Sequence, residues 1–99
     1  VQIGAGVLLD VRSREAFARA RAPGAVNVPV EELDTLGDVV ARDASLLLVD
    51  ANGQLLRAVA RRIRGFGFRV SEVSGGMTAW RLTGLPLEGT AHGGDDPAV

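Results

Sequence analysis

One carboxylate, Asp50, stands where an apolar stretch gives way to a small-residue loop and then to a helical pattern. Leu46 to Arg64 reads LLLVDANGQLLRAVARRIR. In a parallel α/β domain, ligands and reactive groups gather in the crevice at the carboxyl ends of the strands. Chemistry at this corner falls to a carboxylate, acting as nucleophile, general base or metal ligand. The chain has no cysteine, so thiol catalysis, disulfides and zinc–thiolate sites are excluded. All 11 basic residues are arginine; without lysine there is no Schiff-base chemistry, no P-loop and no receiver-type site that needs one.

Few other residues could assist Asp50. Asp10 also lies at a strand end, and an aspartyl-phosphate or hydrolytic route would pair it with Asp50 around a divalent ion. The plainer reading of Asp10 is a carboxylate that bonds loop N–H groups or Arg12, and Arg12 itself suits an ion pair with Asp10 or Glu15. Trp80, at helical spacing from Met77, is expected in the core. His92, the single histidine, sits in a glycine-rich tail with Asp95 and Asp96, a poor setting for a catalytic dyad or a metal site. Arg57, Arg61 and Arg64 read as a solvated helix face, or as a docking surface for an acidic partner.

Composition sets the frame for these residues. Ninety-nine residues make one small domain, with 46% apolar and 23% charged residues, the profile of a globular chain. No apolar run approaches the roughly 20 residues that cross a bilayer, so no membrane span is expected. The net charge of −1 is spread along the chain and gives no footprint for nucleic acid. Cytoplasmic residence is the default expectation. The first methionine is Met77, so Val1 is not a translation start and the chain reads as part of a longer or processed polypeptide.

The positioning elements follow from periodicity. Val7–Val11, Ala25–Val28, Leu46–Val49 and Phe68–Val73 are short β-branched or apolar runs bounded by turn residues, and are expected as strands. Leu46–Val49 is the most apolar and is expected to be central, covered on both faces. A helix is expected over Arg14–Ala20, with Ser13 as N-cap. Glu31 to Ala44 suggests two short helical turns. After Gly53, Leu55, Leu56, Val59, Ala60 and Ile63 share one helix face. Gly75 and Gly76 turn into a last helix, Met77–Leu82. Strands alternating with helices predict a three-layer α/β/α domain whose central parallel sheet has four to five strands and helices on both faces.

Three motifs in order give the chain a family resemblance. LLDVRSREAFARARAPGAVNVP (Leu8 to Pro29), the loop at Asp50, and GFRVSEVSGGMTAWRLTGLPL (Gly67 to Leu87) together resemble the rhodanese-like, sulfurtransferase-type domain, over about Val7 to Leu87. The resemblance implies a domain over 7–88, a truncated lead-in over 1–6 with Val1 to Ile3 as a remnant edge strand, and a flexible tail over 89–99. It also implies departures, since Arg21 stands where the family often has histidine. In active members the central strand ends in a cysteine that opens a Cys-x-x-Gly-x-Arg loop. In that register Asp50 occupies the cysteine position, Gly53 the glycine and Leu55 the arginine.

A carboxylate cannot carry a persulfide, and it repels the anions that such a loop would hold. Arg57 is no substitute for the missing guanidinium, being about 200° around the helix from Leu55. Asp50 is instead expected to act as a built-in anion among loop N–H donors. The degenerate loop then comprises Asp50, Ala51, Asn52, Gly53, Gln54 and Leu55, with Asp10, Arg12, Gly75 and Gly76 as the rim of a possible pocket. The resemblance implies a non-catalytic module that needs no cofactor and whose partner is another protein or a covalently linked domain. Two alternatives stay open at this point: a metal-dependent hydrolase or phosphoryl-transfer enzyme using Asp50, and a small-ligand pocket at the former sulfur-transfer site.

Overall fold

The computed structural model describes residues 6–89. The expected remnant strand at Val1 to Ile3 and nearly all of the tail lie outside them. In chain order the elements are β1 (Gly6–Asp10), α1 (Arg14–Arg19), β2 (Val26–Asn27), a 3₁₀ segment (Val30–Thr35), α2 (Leu36–Val39), β3 (Ser45–Val49), α3 (Leu56–Gly65), β4 (Arg69–Glu72) and α4 (Gly76–Leu82). The four strands form one parallel sheet in the order β2-β1-β3-β4.

Local chemistry accounts for most boundaries. Ser13 caps α1 by accepting from Ala16 N–H at 3.1 Å, with Glu15 in the first turn and Arg19 in the last, charges that complement the helix dipole. β1 starts one residue earlier than expected, because Gly6 pairs with Ser45. β2 shrinks to Val26–Asn27, since Pro29 lacks the N–H that would extend the ladder. α3 ends where Phe66 and Gly67 return their N–H groups to Ile63 and Arg64, with Gly67 at φ +98°.

The core lies on one face of the sheet. Leu9, Leu46, Leu48 and Val70 join Leu33 and Leu36 and the α3 residues Leu56, Val59, Ala60 and Ile63 in one buried cluster. Right-handed crossovers place α3, which carries the chain toward β4, on the face opposite α1, which carries it toward β2. α1 buries no residue completely. On its face of the sheet burial is concentrated at the carboxyl ends of the strands, where Asp10 and Val49 are inaccessible, while Leu47 is 40% exposed. The expected cover on both faces of β3 therefore holds for Leu46, Leu48 and Val49 and not for Leu47.

Three further expectations are corrected. Leu55 is 53% exposed and precedes α3 as its N-cap, so the buried helix face starts at Leu56. Trp80 is half-buried rather than in the core, its Nε1 donating to Pro86 O at 2.8 Å. Gly89, assigned to the tail, packs on the backbone of Arg19, where an antiparallel bridge joins Arg21 and Glu88. Among the described residues no helix is long and apolar enough to cross a membrane.

Candidate functional site

The sheet order puts a switch point between β1 and β3, since the chain leaves β1 toward β2 and later returns on its other side. Crevices in open α/β sheets form at such points, beyond the carboxyl ends of the strands. Asp10 ends β1 and Asp50 follows β3, with Asp10 paired to Val49 in register. Val11 N–H donates to Val49 O at 3.1 Å and ties the two strand ends together. Both carboxylates are buried, at 0% and 2% exposure, so each needs internal partners.

Asp50 finds them in its own loop. Its Oδ1 accepts from Gly53 N–H at 2.6 Å and its Oδ2 from Leu55 N–H at 2.9 Å. The intervening Gln54 N–H donates to Asn52 Oδ1 at 3.1 Å. Three consecutive N–H groups at the start of α3 thus end on side chains of the same loop. Such a run of donors at a helix start is a natural anion cradle, and here the anion is covalently part of the chain.

The Gly75–Gly76 turn closes over this loop. Met77 N–H donates to Asp50 O at 2.8 Å, and Thr78 donates to Ala51 O through its backbone N–H (2.9 Å) and its Oγ1 (3.1 Å). Gly76 has φ +60°, and a Cβ there would fall 2.6 Å from Asp50 O and 2.8 Å from Gly53 N. A Cβ on Gly53, at φ +92°, would meet the Gly75 backbone at 3.0 Å. Glycine is required on both sides because the two backbones touch.

Asp10 belongs to a separate network. Arg12 Nε and Nη2 engage both of its carboxylate oxygens, with the shortest contact 2.8 Å, and Arg12 N–H donates to Oδ1 at 2.9 Å. Arg12 Nη2 also donates to Ala20 O at 2.7 Å, so its guanidinium braces the end of α1. The Arg12 side chain is only 7% exposed and turns toward Asp10 and Ala20. The proposed rim is therefore brought together only in part: Gly75 and Gly76 meet the Asp50 loop, while Asp10 and Arg12 satisfy each other. Among the described residues no three of His, Cys, Asp and Glu cluster as a metal site.

Sequence reasoning missed Asn27, whose Nδ2 donates to Asp10 O and Arg12 O, each at 3.0 Å. This clamp fixes the turn after β1; an Asn two residues before a Pro at a strand end was its only signal. Thr78 and Met77, which hold the loop from across the sheet end, left no local signal. Arg21, at the position where histidine is common, lies over the Phe17 ring at 5.1 Å and pairs with Glu88 at 3.5 Å. Of the arginine face, Arg64 is engaged, donating to Val70 O at 3.0 Å; Arg62, outside that face, reaches Asp34 at 3.4 Å.

Comparison with known proteins bears on the family and the fold. The family model described as "Rhodanese-like domain" matches residues 2–83. A thiosulfate sulfurtransferase, GlpE of Actinobacillus succinogenes, is 33% identical over 94 residues, covering 94% of this chain and 84% of that protein. The HTH-type transcriptional regulator Rv0324 of Mycobacterium tuberculosis is 35% identical over 89 residues, 88% of this chain; the match spans only 39% of the regulator. Among solved structures, the rhodanese-like domain of the Anabaena protein Alr3790 superposes with a TM-score of 0.81 at 30% identity, over 96% of this chain and 77% of that one.

Proposed function

The chain belongs to the rhodanese-like domain family, and from that footing we propose that it is a member without sulfur-transfer activity, serving as a binding, regulatory or structural module. The observation that carries this reading is that both carboxylate oxygens of Asp50 are bonded to N–H groups of its own loop, at the position where the resemblance puts the nucleophile. Sulfur transfer from thiosulfate needs a group that attacks the outer sulfur, releases sulfite and holds the sulfur as a persulfide. A carboxylate forms no such adduct, and the chain offers no thiol elsewhere.

The surroundings support the same reading. The guanidinium that would fork onto an incoming oxyanion is replaced by Leu55, and the negative charge of Asp50 opposes entry of thiosulfate or phosphate. The N–H groups of Gly53, Gln54 and Leu55 are occupied by side chains of the loop itself. On this reading the partner is another protein or a covalently linked domain. Similarity to a named transcriptional regulator that extends well beyond the match supports the second form.

The test is steady-state transfer of sulfur from thiosulfate to cyanide by the purified chain. No thiocyanate above the uncatalysed rate is expected. Turnover that disappears on Asp50→Ala overturns the proposal.

A further inference from the structure

The loop contains the dipeptide Asn52–Gly53, a sequence prone to intramolecular attack because glycine puts no side chain in the way of the approaching peptide nitrogen. Gly53 N would attack Cγ of Asn52, its proton would pass to solvent, and the Cγ–Nδ2 bond would break with release of ammonia. Water would then open the cyclic imide to aspartate or isoaspartate. Asn52 is exposed, so water and hydroxide reach its side chain. In an open loop this peptide would age quickly.

The geometry points to a protective role for Asp50: we propose that Asn52–Gly53 is a latent succinimide site, and that Asp50 keeps it closed by holding the attacking nitrogen. Gly53 N–H donates to Asp50 Oδ1 at 2.6 Å, and that bond must break before the nitrogen can turn toward Asn52. Loss of the same proton beside a buried carboxylate is opposed by like charge. Asn52 Oδ1 accepts from Gln54 N–H at 3.1 Å, a donor that polarises the amide, so the restraint rests on the Gly53 nitrogen. Gly76 leaves no slack, since its Cα packs against Gly53 N so closely that a Cβ would fall 2.8 Å from it. Isoaspartate at this position would add one carbon to the backbone between 52 and 53. The Gly53 and Leu55 N–H groups would then no longer both reach Asp50. This protection depends on loop geometry alone and holds whether or not the domain turns over sulfur.

Peptide mapping by mass spectrometry after prolonged incubation at neutral pH tests the proposal. The folded chain is expected to deamidate at Asn52 about tenfold or more slowly than the same chain unfolded in guanidinium, the factor that corresponds to one charge-assisted hydrogen bond. Asp50→Asn removes the charge and one of the two strong acceptors; while its circular dichroism stays native, Asn52 should deamidate several-fold faster than in the unaltered chain. Equal rates in the folded and unfolded chain, or a folded Asp50→Asn variant no faster than the unaltered one, overturn the proposal. If Asp50→Asn does not fold, hydrogen exchange at the Gly53 amide of the unaltered chain decides: strong protection supports the role, and exchange at the rate of a free peptide contradicts it.

Discussion

Gly76 lies against Asp50 so closely that even a methyl group on Gly76 would fall 2.6 Å from the Asp50 carbonyl oxygen. The turn after β4 and the loop after β3 are therefore one packed unit. Gly76→Ala also forces a side chain onto a residue at φ +60°. Adding left-handed strain to overpacking, the substitution is expected to cost about 2–4 kcal/mol, read as a lower urea midpoint with an unchanged denaturant slope.

Removing the Asp50 carboxylate leaves two N–H groups facing a buried space. Asp50→Ala should destabilise the fold by about 2–4 kcal/mol, the cost of two unsatisfied buried donors. Asp50→Asn keeps an acceptor oxygen for one of them and should cost less. Thermal unfolding of both variants, compared at one pH, checks the order; an Asp50→Ala variant as stable as the parent would mean that the loop N–H groups find other partners.

The Asp10–Arg12 pair makes a parallel prediction at the neighbouring strand end. Arg12→Ala strands a fully buried carboxylate and should cost about 3–5 kcal/mol, while the double change Asp10→Ala with Arg12→Ala should cost clearly less than the sum of the single changes. A double-mutant cycle by chemical denaturation measures that coupling. Additive costs would show that the two side chains act independently.

Burial along β3 predicts a contrast between adjacent leucines. Leu48 is inaccessible and Leu47 is 40% exposed. Leu48→Ala should cost about 2–5 kcal/mol, and Leu47→Ala less than half as much. Matched urea titrations distinguish the two, and equal losses would place cover over the open face of the sheet.

The strands and α3 were legible because they rest on local pattern: Leu46–Val49 is a continuous apolar run, and Leu56, Val59, Ala60 and Ile63 repeat at the helical period. The same pattern could not say which face of β3 is covered, because a continuous run has no alternation to break the tie. Nor could it separate Leu55 from Leu56, since a helical face does not fix where the first turn begins. At the site, Asp50 as an internal anion followed from a short loop entering a helix. The contacts that close the site, from Gly76, Met77 and Thr78 to Asp50 and Ala51, join residues more than 25 positions apart. They depend on the strand order, which no local window contains.

On the proposed reading, Asp50 and Leu55 stand where a sulfur-transfer cradle would carry its nucleophile and its guanidinium, while the backbone of the cradle is kept. The most direct measurement sets the unaltered chain beside the double variant Asp50→Cys with Leu55→Arg, each treated with thiosulfate and assayed for protein persulfide by mass spectrometry and for thiocyanate after cyanide. Neither product is expected from the unaltered chain, and a persulfide is expected on the introduced cysteine of the double variant. Thiocyanate formed by the unaltered chain, and lost on Asp50→Ala, would contradict it.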